Sequence, residues 1–130
     1  MSNNYLFTSE SVTEGHPDKV ADLISDSVLD YIIERDANAH VACETLTSSN
    51  DIIVAGEVNS DVENIPVNQI VHDALHHIGY YDTKYGFDMQ NCTIHNLLKE
   101  QSSEINHAVS SNQETGAGDQ GMMFGYACNE

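Results

Sequence analysis

The chain has 130 residues, 40% of them hydrophobic, which is enough for one packed domain. Its 21 acids face only four bases, Lys19, Arg35, Lys84 and Lys99, for a formal net charge of −17. That balance excludes nucleic acid and anionic membranes as expected partners, since both are held by clustered Lys and Arg, and no apolar stretch nears membrane-spanning length.

Three cysteines, Cys43, Cys92 and Cys128, are odd in number and lack a CxxC spacing, so reduced thiols in a cytoplasmic protein are expected. The opening Met1-Ser2-Asn3-Asn4-Tyr5 has neither a basic n-region nor an apolar h-region, which agrees with a cytosolic location.

The first informative run is Phe7-Thr8-Ser9-Glu10-Ser11-Val12-Thr13-Glu14-Gly15-His16-Pro17-Asp18-Lys19. Proline suits the first position of a helix, where its missing N–H would be unpaired in any case. A loop ending at His16 and a helix starting at Pro17 aim backbone donors, an imidazole and the Asp18 carboxylate at one point. Helix N-termini attract phosphate, and a neighbouring carboxylate suits the Mg²⁺ that accompanies a polyphosphate. The run therefore reads as part of a nucleotide site.

From Pro17 to about Arg35 the pattern is helical: Val20, Leu23, Ile24, Val28, Tyr31 and Ile32 recur at three- and four-residue spacing. A second stripe, Asp18, Asp22, Asp26, Asp30 and Glu34, stacks acids four apart. Like charges at that spacing cost a helix a few tenths of a kcal/mol per pair, so most of the stripe reads as a solvated face. Asp18 differs, because the helix dipole favours an acid in the first turn.

His40 to Ser48 and Asp51 to Asn59 read as a β-hairpin around Ser49-Asn50. If Ser48 pairs with Asp51, Glu44 opposes Ala55 and Glu57 is its diagonal neighbour on the same face; a slip of one residue would separate them. Pro66 to about Ile78 reads as a second helix, with Val67, Ile70, Val71, Ala74, Leu75 and Ile78 inward. His72, His76 and His77 include an i, i+4 pair, but no nearby carboxylate or thiol completes a metal site, so a surface role is expected. A third strand or strand–helix junction is expected over Asn91 to Leu98, a long loop over Gln101 to Gly121 and a short strand from Met122 to Cys128.

The opening run resembles the signature of S-adenosylmethionine synthetases (methionine adenosyltransferases), and the likeness extends along the chain. Cys43-Glu44-Thr45, Ala55-Gly56-Glu57, His77-Ile78-Gly79-Tyr80, Gly86-Phe87-Asp88, Gln101-Ser102, Gly116-Ala117-Gly118-Asp119-Gln120-Gly121 and Met123-Phe124-Gly125-Tyr126-Ala127 follow in that family's order. Two departures stand out. Ser48-Ser49-Asn50 replaces the family's usual Lys-Thr-Gly turn, and Ala108-Val109 replaces Gly-Val.

The resemblance implies an α+β two-layer sandwich of βαββαβ type, its antiparallel or mixed sheet covered on one face by the helices at 17–35 and 66–78. It implies an N-terminal domain over 1–101, a mobile lid loop over 102–115 and the truncated start of a central domain over 116–130. The implied reaction joins L-methionine to ATP, giving S-adenosylmethionine, phosphate and pyrophosphate.

On that resemblance His16 is the catalytic residue, and His16, Lys19 and Asp119 bind ATP. Glu57, Gln101 and Asp119 bind methionine, Asp18 holds Mg²⁺ and Glu44 holds K⁺. A homodimer or tetramer with active sites between subunits is implied. A triphosphate needs cationic groups as well as metal, and four bases are a thin supply. The chain is therefore expected to be the leading part of a longer enzyme, inactive alone. The rival reading is a non-catalytic acidic module that docks on a full-length synthetase. A general acidic metal-binding domain ranks below both, because the acids lack a Ca²⁺-loop spacing.

Overall fold

A computed structural model describes residues 6–81, 91–100, 125, 127 and 129. Helix α1 spans Pro17–Ile33, and its buried side chains Val20, Ile24, Val28 and Ile32 recur every fourth residue. Fully burying an aliphatic side chain is worth roughly 2 kcal/mol, so this one stripe fixes the helix against the sheet. The expected acidic stripe is solvent-exposed throughout. Glu34 caps the C-terminus, a little earlier than the periodicity suggests. There the Arg35 guanidinium donates to the Tyr31 carbonyl at 2.7 Å and lies 3.7 Å over the Tyr31 ring centroid.

Strands β1 (His40–Ser48) and β2 (Asp51–Asn59) form the expected antiparallel hairpin. Ser48 pairs with Asp51, Glu44 with Ala55 and Ala42 with Glu57. Ser49 takes φ 51°, which lets the two-residue turn follow the strands' twist. Helix α2 (Val67–His77) buries Val67, Ile70, Val71, Ala74 and Leu75. It crosses over to β3 (Thr93–Glu100), which runs parallel to β2 and completes a mixed sheet of order β1-β2-β3.

Alternation sends Val41, Cys43, Ile52, Val54, Val58, Ile94 and Leu98 into one core with both helices. The opposite sheet face carries Glu44, Leu46, Ile53, Ala55, Glu57, Leu97 and Lys99, and neither helix covers it. The architecture is thus the expected α+β sandwich, with helices on one face of a mixed sheet. Among the described residues the element string is αββαβ, and the stretch ahead of α1 forms no strand. The loop at 102–115, the strand expected at 122–128 (apart from residues 125 and 127), Gln101 and Asp119 lie outside the described residues.

Candidate functional site

The N-terminus of α1 places the most reactive group of the opening run. His16 stays extended (φ −66°, ψ 138°) while its carbonyl accepts the first helical bond, from the Val20 N–H at 2.9 Å. An N-cap usually uses a short side-chain oxygen. Here the His16 Nδ1 takes that place, accepting from the Asp18 N–H at 3.2 Å. A nitrogen that accepts carries no proton, so in the neutral ring the proton sits on Nε2. His16 thus presents an N–H donor away from the helix, at the positive end of the α1 dipole.

The Asp18 side chain is 90% exposed, and its Oδ2 lies 4.0 Å from His16 Nδ1. Lys19 turns to a different cleft, of about 330 Å³, shared with Glu14, Asp22, Asp26 and His77. The nearest described cation is therefore surrounded by acids. A smaller cleft of about 80 Å³ lies under the His16 loop, lined by Gly15, Pro17, Thr47, Ser49, Leu75 and Tyr80.

Glu44 and Glu57 do share a sheet face, as the register requires, and Glu57 is registered with Lys99 of β3. That face is the outer one, whereas α1 packs on the inner one. The structure therefore gathers the candidates into two groups, His16 with Asp18 and Glu44 with Glu57, on opposite sides of the sheet. Among the described residues no three His, Cys, Asp or Glu come together to hold a metal ion. Asp18 and Glu44 each offer a single carboxylate.

Two side chains that sequence reasoning passed over touch the His16 turn directly. The Tyr80 hydroxyl donates to the Gly15 carbonyl at 2.7 Å, and the Thr47 hydroxyl donates to the Pro17 carbonyl at 3.2 Å. Gly79 directly after a helical pattern was the available signal for Tyr80, since it marks a helix C-cap. Cys43 is no nucleophile, because burial pushes its thiol up to about 11. The His76 ring lies 5.6 Å from that of Tyr81. No helix among the described residues is long and apolar enough to cross a membrane.

Residues 4–103 match the family model described as S-adenosylmethionine synthetase, N-terminal domain. Over its whole length the chain is 56% identical to the S-adenosylmethionine synthase of a Nitratiruptor species. It is 55% identical to that of Helicobacter hepaticus and 54% identical to that of a Sulfurovum species, again over all of this chain. In each case it covers 34% of the relative, so the chain spans about a third of the length of the curated relatives it matches.

Proposed function

The chain belongs to the S-adenosylmethionine synthetase family, and on that premise we propose that it supplies the N-terminal part of a methionine adenosyltransferase. The reaction is attack of the methionine sulfur on C5′ of ATP with expulsion of the triphosphate, which is then cut to pyrophosphate and phosphate. A thioether is a neutral nucleophile and needs no base. Alignment and stabilisation of the departing polyanion are the protein's tasks.

The observation that carries this reading is the α1 N-terminus. His16 holds Nδ1 bare against the Asp18 N–H, which leaves Nε2–H to donate to the leaving triphosphate. The solvent-open Asp18 carboxylate suits Mg²⁺, which keeps several waters and phosphate oxygens in its shell and takes few protein ligands. Mg²⁺ bound there would neutralise polyphosphate charge. Lys19, one residue on, lines the neighbouring acidic cleft and would swing out of it to reach the phosphates. Glu57 receives the methionine ammonium and Glu44 is a carboxylate ligand for K⁺. Gln101 and Asp119 complete the methionine and ATP contacts in this reading.

The test joins residues 1–130 to the rest of the Sulfurovum relative and supplies ATP, methionine, Mg²⁺ and K⁺, with product read by mass. The chimera is expected to form S-adenosylmethionine, and His16→Asn or Asp18→Asn to lower kcat by orders of magnitude. Residues 1–130 alone are expected to form none, because four bases at net charge −17 leave a departing triphosphate uncompensated. A folded chimera that makes no product overturns the function. Robust turnover by the chain alone overturns the charge argument.

A further inference from the structure

The two peptide carbonyls that bracket His16 are each held by a side-chain hydroxyl from a different element. Behind it, Tyr80 Oη donates to Gly15 O at 2.7 Å; ahead of it, Thr47 Oγ1 donates to Pro17 O at 3.2 Å. Tyr80 is itself fixed by the way α2 ends. Gly79 takes φ 94°, its N–H donates to His76 O at 3.0 Å, and the Tyr80 N–H donates to Leu75 O at 3.0 Å. Those two bonds are the Schellman arrangement, which sets the direction of the residue after the glycine. Leu75 is 1% exposed, so the phenol is mounted on a core-anchored helix end. A Cβ at Gly15 would stand 3.0 Å from the Tyr80 hydroxyl oxygen, which shows how closely the phenol approaches the peptide before His16.

We propose that Tyr80, with Thr47 as a second brace, is a positioning residue that fixes the His16 turn and so aims Nε2–H and the Asp18 carboxylate. The functional part of this inference rests on the role given to His16 above. The mechanical part does not. An N-cap ring held by one 3.2 Å bond to Asp18 N–H is free to rotate or to exchange tautomers once the peptides on either side move. Fixing both carbonyls removes that freedom before any ligand arrives. The hairpin turn here lacks the family's Lys-Thr-Gly, and Thr47 ties that turn to the first turn of α1.

The experiment reads the imidazole of the ¹⁵N-histidine-labelled chain at about pH 8, above the ordinary histidine range, by long-range ¹H–¹⁵N correlation. His16 is assigned through its loss in His16→Asn. In the parent, Nδ1 is expected at the shift of a bare nitrogen and Nε2 at that of an N–H. Tyr80→Phe removes one oxygen and is expected to pull the two shifts together as tautomers mix. It should also speed Asp18 amide exchange roughly fivefold, the worth of one modest hydrogen bond. Thr47→Val should move both readouts the same way by less, and Tyr81→Phe should move neither. Unchanged His16 shifts and Asp18 exchange in folded Tyr80→Phe overturn the proposal; if that variant does not fold, unchanged values in Thr47→Val do so. None of these readouts needs turnover. A chimera that makes no product while His16 responds to Tyr80→Phe overturns only the functional reading.

Discussion

Gly56 is the residue on which the placement of Glu44 and Glu57 depends most sharply. Its φ of 144° lies where side chains are rarely tolerated. A Cβ added there would overlap the Ala42 carbonyl oxygen, 2.9 Å from that carbonyl's carbon and 3.2 Å from Cys43 Cα. All three atoms are backbone, so no rotamer change relieves the contact. Gly56→Ala must either carry strain of about 1–3 kcal/mol or push β1 away and lose one or two ladder hydrogen bonds worth about 1 kcal/mol each. Reduced freedom of the unfolded chain returns somewhat under 1 kcal/mol. The expected net loss is about 2 kcal/mol, taking strain at the upper end because the overlap is with fixed backbone atoms, and it is a large share of the roughly 5–15 kcal/mol of a small domain. Urea unfolding followed by circular dichroism should show it as a midpoint lowered by about 1 M. Cross-strand NOEs between residues 42–44 and 55–57 should weaken together. Ala42→Gly added to Gly56→Ala should rescue nothing, because the clash is with the Ala42 carbonyl and not its methyl. A loss below about 1 kcal/mol with those NOEs intact, or rescue by Ala42→Gly, would refute the reasoning.

Asp36 gives a pH signature. Its carboxylate accepts from the Asp61 N–H, the Asn38 N–H and the Ser60 hydroxyl, each at 3.0 Å, and the Asp61 bond leads in holding its pKa below the ordinary 3.8. A lowered folded value contributes stability above the unfolded pKa and loses it as pH falls through the folded one. The stability gap between the parent and Asp36→Ala should therefore stay flat down to about pH 5 and shrink below about pH 4; a gap that widens on acidification contradicts the assignment. The outer sheet face gives an assembly test. Leu46 is 60% and Leu97 54% exposed there, and we propose that a second copy covers them. Light scattering should show self-association that Leu46→Lys with Leu97→Lys abolishes, and a monodisperse monomer of the parent at high concentration counts against it.

The helices and the hairpin were legible because their signals are local. Val20, Ile24, Val28 and Ile32 repeat at the helical period, and Ser49-Asn50 fixes a register in which Glu44 meets Ala55. What covers the outer face was not legible. Leu46, Ile53, Ala55 and Leu97 stand there among Glu44, Glu57 and Lys99, so alternation put the two carboxylates together without saying what meets that face. The His16 turn was placed correctly at the helix start, but its braces were invisible. Tyr80 and Gly15 are 65 positions apart and Thr47 and Pro17 are 30 apart, and such contacts exist only once α2, β1 and α1 have packed.

The two-sided arrangement bears on how the proposed reaction would close. Sulfur and C5′ must approach to about 3–3.5 Å, yet neither the cleft under the His16 loop nor the one beside Lys19 takes in Glu57. Residues outside those described would have to wrap the sheet edge, or a second copy would have to bring its own α1 N-terminus to the outer face. The exposed Leu46 and Leu97 beside Glu44 and Glu57 favour the second route, because covering them recovers roughly 25 cal/mol per Å² of apolar surface. That gain would oppose the repulsion between two chains of net charge −17. Salt screens such repulsion over about 8–10 Å and leaves apolar burial undiminished. On the proposed reading, then, cations from elsewhere in the enzyme serve the reaction more than the assembly: packing can hold acidic chains together, but it cannot stabilise a departing triphosphate.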